Sequence, residues 1–173
     1  MNILCYHSVS YNSYNEIFKS LKKDGISFSL FGIINEIKSE YNFKEIHKDV
    51  LQLPNILEED ENEALRKLVL YEKKYNLSIS SYIHAERHTV DLPRLEKRSL
   101  TFNMANALIE FVIKNKIDVI IAGSLADFPS YLLYDLAKEL NIQFYYPIFA
   151  RFGGNLFLSN RADTGPVDLE QNY

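Results

Sequence analysis

The chain has 173 residues, a length that suits one domain. Apolar residues make up 47% and charged ones 24%, enough for a core beneath a solvated surface. A formal charge of −4 gives no footprint for nucleic acid, and one cysteine excludes an internal disulfide or a thiolate metal cluster.

The opening run MNILCYHSV predicts a buried strand, with Cys5 inside it as an inert thiol. Ser and Asn caps then lead into Ile17, Phe18 and Leu21 on one face, and Gly25 stops this helix just after Lys22 and Lys23. Residues 26–34 alternate and then run apolar, as a second strand does. A short helix is expected over 34–42 and a third strand within 44–54, before Pro54. Residues 58–76 form a helix with acids in the first turn and lysines in the last, as the helix dipole prefers. Residues 77–98 have no clean period and are dense in His, Glu and Arg.

Leu100, Met104, Leu108, Phe111 and Val112 then recur at helical spacing over 99–116, a stripe that belongs to a core. IDVIIAGS, from Ile117, is the clearest strand of the chain. A helix with Pro129 near its first turn follows, then a strand from Ile142 interrupted by Pro147 and a last short one near GGNLFLSN. Strand–helix alternation predicts an α/β fold: an open, mainly parallel, Rossmann-like sheet with helices on both faces, over residues 1–160. Residues 161–173 are polar, broken by Gly165-Pro166, and read as a linker or disordered tail.

No segment reaches the roughly 18 apolar residues of a membrane span. The start turns polar too early for a signal peptide, so the cytoplasm is the expected location.

In open parallel sheets, ligands bind beyond the carboxyl ends of the strands. That rule selects His7 and Ser8 after the first strand, Gly123, Ser124 and Asp127 after the clearest one, and Arg151 and Asn155 after the next. His7 suits a general base, or equally a half-buried histidine bonded to backbone. Gly123 and Ser124 can offer N–H groups and a hydroxyl to an anion, although a strand-to-helix turn needs small residues in any case. Asp127, two residues before Pro129, is foremost a helix cap. Arg151 beside Gly153-Gly154 resembles a clamp for phosphate or carboxylate.

The segment HAERH, with His84, Glu86, Arg87 and His88, can reach the same edge or form a solvated loop. It lacks the glutamate directly after the first histidine that a zinc-protease helix requires, so no metal is expected. GxGxxG, GxxxxGK[ST] and GxSxG are all absent, which disfavours a dinucleotide site, a P-loop and a hydrolase elbow of the usual kinds.

The segment from Asp118 to Asn160 resembles part of the capsular and surface polysaccharide biosynthesis proteins. The matching pieces are Leu133-Tyr134, Leu136-Ala137-Lys138, Leu140-Asn141-Ile142, Arg151, and Asn155 to Ser159. The first strand running into His7 is similar to the start of a GT-B glycosyltransferase N-terminal domain. The resemblance covers about a quarter of the chain. It implies the acceptor-side half of an enzyme that moves a sugar from a nucleotide donor to a saccharide, without a cofactor. A C-terminal donor-binding domain would follow the linker, and a peripheral position at the inner membrane surface is compatible with it. His7 or Asp127 would then be the base, with Arg87 and Arg151 holding phosphate or carboxylate groups. Ser8, Gly123, Ser124 and Asn155 would contact substrate. The 173-residue chain alone would be inactive. At one loop the chain departs from the family, since GSLADFPS supplies no acid except Asp127.

Two other readings stand beside it. One is a free-standing flavodoxin-like module that binds and catalyses nothing. The other is a small hydrolase or sugar-nucleotide modifying enzyme with Ser124 as nucleophile.

Overall fold

The structure is a computed structural model. It describes residues 1–6, 11–33, 41–46, 58–82, 93–123, 125, 127–149 and 156–160. Among these the elements run β1 (Asn2–Tyr6), α1 (Tyr11–Lys23), β2 (Ser29–Ile33), β3 (Phe43–Ile46), α2 (Glu58–Lys74) and α3 (Ile79–Tyr82). They continue with α4 (Arg94–Lys114), β4 (Val119–Ala122), α5 (Phe128–Glu139), β5 (Gln143–Phe149) and β6 (Leu156–Ser159). The strands form one sheet in the order β3-β2-β1-β4-β5-β6. All neighbours are parallel except β5 and β6, which are antiparallel. The fold is therefore α/β with a mostly parallel sheet.

The chain divides into two compact units. The first comprises residues 1–47, 117–125 and 143–173, and holds the sheet and α1; the second comprises 48–116 and 126–142, and holds α2 to α5.

In the first unit, β1 is apolar at every position from Ile3 to Tyr6, all four at most 1% exposed. A parallel central strand is buried on both faces, so its sequence does not alternate. Ile3 and Cys5 share one face with Leu30 and Ile121, and there they meet Tyr14 and Phe18 of α1. Leu4, Tyr6, Phe31, Ile33, Ile120 and Ala122 lie on the opposite face and are also buried. Helix α1 presents Tyr14, Ile17, Phe18 and Leu21 to the sheet at three- and four-residue spacing. It ends in a Schellman turn: Gly25, at φ 73°, donates to the Lys22 carbonyl at 3.0 Å, and the Ile26 N–H to Leu21 at 2.9 Å.

Phe18 is fully buried, with Phe28 at 5.6 Å and Tyr41 at 5.3 Å between ring centroids. The β2–β3 ladder slips between Leu30 and Phe31, whose partners are Phe43 and Glu45, so Lys44 is the additional residue of a bulge.

In the second unit, α4 carries buried residues on almost every side, from Leu100 to Val112. Lys67 of α2 reaches Glu63 at 3.3 Å and Glu110 of α4 at 3.7 Å, an exposed network that adds little stability. Both α2 and α5 end with an asparagine in the left-handed region, Asn76 at φ 47° and Asn141 at φ 55°. Asparagine is the usual substitute for glycine there.

Several expectations shift. Helix α4 begins at Arg94, five residues before the apolar stripe, because Pro93 supplies the extended entry and the charged first turn needs no buried face. A single turn, α3, lies within 77–98. The third strand starts at Phe43 and its described part ends at Ile46, while 34–40 and 47–57 lie outside the described residues. Strand β5 runs through Pro147 without a break. Its ladder with β4 ends at Tyr145, so the missing N–H of Pro147 costs no bond on that side. No helix among the described residues is long and apolar enough to cross a membrane.

Phe18 contributes both to the sheet core and to the aromatic group, so Phe18→Ala should cost about 3–5 kcal/mol. Urea unfolding measures this, and a loss below about 1 kcal/mol would contradict the packing described.

Candidate functional site at the carboxyl edge of the sheet

From β1 the chain moves outward through β2 and β3, then returns to the other side of β1 as β4. Strand order therefore reverses between β1 and β4, the point at which parallel sheets open a crevice beyond their carboxyl ends. The two strands finish level. Tyr6 pairs with Ala122, and the Gly123 N–H donates to the Tyr6 carbonyl at 2.9 Å. That donor extends the ladder by one bond, so Gly123 does not offer its N–H to an anion. An anion would draw on later groups of the loop.

His7 and Ser8 follow Tyr6 directly in the chain, and Ser124 follows Gly123. Arg151 and Asn155 fall in sequence between β5 and β6. These five, and Arg87, lie outside the described residues, as do His84, Glu86 and His88. Of the eight candidates, Gly123 and Asp127 are described, and Gly123 is buried.

Asp127 belongs to the second unit, where it is the N-cap of α5. Its backbone is extended, at φ −130° and ψ 167°, and its Oδ1 accepts the Ser130 N–H at 2.9 Å. The Asp127 N–H reaches Ser130 Oγ at 3.3 Å, which completes a capping box with serine in place of the usual glutamate. Pro129 fits the first turn because no intrahelical donor is required there. Asp127 is 8% exposed and Ser130 0%. The carboxylate thus has a structural task that accounts for its residue type, its burial and its position before Pro129.

Other titratable groups were not evident from sequence spacing. The Tyr82 hydroxyl of α3 donates to Asp135 Oδ2 of α5, a partner 53 residues away. The Tyr82 ring also meets Phe128, at 6.0 Å between centroids. Burial pushes the Asp135 carboxyl above its ordinary range, against the pull of Lys138. No local pattern could have announced this pair, since its members stand on separate helices. Burial raises the Cys5 thiol to about 12, so at neutral pH it supplies no nucleophile. Among the described residues no group of three His, Cys, Asp or Glu is placed to hold a metal ion.

Comparison with protein-family models, curated proteins and solved structures finds no match.

Asp127→Ala should cost about 1 kcal/mol through loss of the cap, whereas Asp127→Ser, which keeps an oxygen acceptor, should lose much less. Equal losses in thermal unfolding would exclude capping as the reason for this residue. For Asp135 the raised value means that the folded state holds its proton more tightly than the unfolded chain does. The stabilising contribution is complete below about pH 4, the unfolded aspartate value, and is lost as pH rises through the higher folded value. The Tyr82 hydroxyl favours the ionised form. Tyr82→Phe should therefore move the Asp135 titration further up, which carboxyl NMR can follow. A downward movement would show that the hydroxyl does not serve the carboxylate.

Proposed function

We propose that the chain is the acceptor-side, Rossmann-like domain of a GT-B glycosyltransferase that builds a capsular or surface polysaccharide. The observation that carries this reading is the level finish of β1 and β4 where strand order reverses, sealed by the Gly123–Tyr6 bond. His7 and Ser124 are the residues that follow these two strand ends along the chain. The strand order β3-β2-β1-β4-β5 is that of a doubly wound sheet, spanning its strand-order reversal. The resemblance from Asp118 to Asn160 supports the same reading. Helix α1 covers one face of the sheet.

The chemistry follows from that position. A sugar hydroxyl attacks the anomeric carbon of a nucleotide sugar while a base takes its proton. His7 is the better candidate, since Asp127 Oδ1 is engaged in the cap. Arg151 and Arg87 offset charge developing on the departing diphosphate. Ser8, Ser124 and Asn155 hydrogen-bond the acceptor, with Gly123 shaping the loop. Substrates are a nucleotide sugar and a saccharide, with no further cofactor, in the cytoplasm or against the inner membrane surface. The donor is held by a C-terminal domain joined through the segment after Asn160.

The purified 173-residue chain should transfer no sugar. A longer protein that joins the chain to a donor domain should do so. In that longer protein, His7→Ala should lower transfer by about 10²–10⁴-fold with the fold retained by circular dichroism. Undiminished transfer would remove His7 as the base, and transfer by the short chain would overturn the division of labour.

A further inference from the structure

A recess lies at the amino edge of the sheet. It is an open groove of about 470 Å³ at the starts of β2 and β3, beside the end of α1. Lys22, Phe28, Ser29, Leu30, Tyr41, Asn42, Phe43 and Lys44 line it. The groove lies wholly within the first unit. Its size falls within the range of small-molecule sites.

The Phe28 and Tyr41 rings stand 6.4 Å apart and both rest against the buried Phe18. A fixed aromatic floor of this kind offers ring faces at little entropic cost, because the side chains are already held by packing. Ser29 and Asn42 add a hydroxyl and an amide at the rim. Lys22 supplies charge, with its ammonium 4.6 Å from the centre of the Tyr41 ring.

That ammonium has an ordinary explanation, since a lysine in the last turn of a helix complements the dipole. The end of α1 does not need it for that purpose. The Ser20, Leu21 and Lys22 carbonyls already accept from Asp24, Ile26 and Gly25. Lys22 forms no salt bridge among the described residues, and no acidic residue is among the described residues of the lining. Lys44 also lines the groove, but its ammonium lies 5.6 Å from the ring of Phe31, on the other face of the sheet. The result is an aromatic floor with the Lys22 cation at its margin and hydrogen-bonding groups beside it.

We propose that this groove binds a small molecule that joins a ring with an apolar face to a phosphate, the ring against Phe28 and Tyr41 and the phosphate at Lys22. A nucleotide and a sugar phosphate share this chemistry. The site is separate from the carboxyl edge, and it stands or falls independently of the glycosyltransferase reading.

Amide NMR of the whole chain tests it, with adenosine monophosphate, glucose phosphate, adenosine and inorganic phosphate as probes. Saturable shifts of the Asn42, Phe43 and Lys44 amides are expected with at least one of the two ring phosphates. Adenosine monophosphate alone would identify a nucleotide site, and glucose phosphate alone a sugar phosphate site. Adenosine and inorganic phosphate should each bind at least about tenfold more weakly. Lys22→Glu, a surface change that leaves the core intact, should weaken the ring phosphate by about tenfold or more. No shift with either ring phosphate would overturn the proposal. So would inorganic phosphate binding equally well, which would mark a bare anion site, or unchanged binding by Lys22→Glu. The Tyr41 ring is tested by Tyr41→Leu, which keeps an apolar side chain. Retained affinity there would refute the stacking floor.

Discussion

Everything in the first unit depends on β1 being hydrogen-bonded along both edges. Its backbone groups have no access to water, so each must find a partner in β2 or β4. That requirement fixes the register on both sides at once: Ile3 opposite Leu30 and Val119, Tyr6 opposite Ile33 and Ala122. Because the strand is buried on both faces, a polar side chain anywhere from Ile3 to Tyr6 would lose its hydration without a replacement. The same constraint produces the candidate site. Where strand order reverses, β1 and β4 finish level, Tyr6 opposite Ala122.

The edge of the sheet is handled differently. β3 borders the sheet with Lys44 and Glu45 along it and a bulge at Lys44. Charges and bulges both discourage another chain from adding to an open edge. The bulge residue also lines the groove, so one local irregularity bears on both the edge and the recess. Phe18 connects the two. It packs on the sheet through Ile3 and Leu30, and on the groove floor through Phe28 and Tyr41.

The parts of the fold that could be read from the sequence are those with a strong local signal. The helix stop at Gly25 was legible because only a residue tolerant of positive φ fits there. The cap at Asp127 was legible because an acid two residues before a proline has few other uses. β1 and β4 were legible as unbroken apolar runs. The start of α4 was hidden because Arg94 to Arg98 carry no apolar period, although they form helix. Pro147 suggested an interruption, yet whether a proline breaks a strand depends on which neighbour needs its N–H, which only the ladder reveals. The Tyr82–Asp135 pair and the groove are tertiary products of distant segments, with no trace in spacing.

Asp127 shows how structure redistributes chemical roles. An acid after the clearest strand of a parallel sheet invites a catalytic assignment, and Asp127 is the sole carboxylate of its loop. A cap, however, works by keeping the carboxylate charged and bonded to backbone N–H groups. A general base must do the opposite and accept a proton with a pKa near the working pH. Asp127 Oδ1 already accepts the Ser130 N–H, so the cap occupies it. If a proton is removed at the carboxyl edge, an imidazole is the better fit, because its ordinary pKa already lies near neutrality. His7, directly after the central strand, is the residue in the right place along the chain for that work.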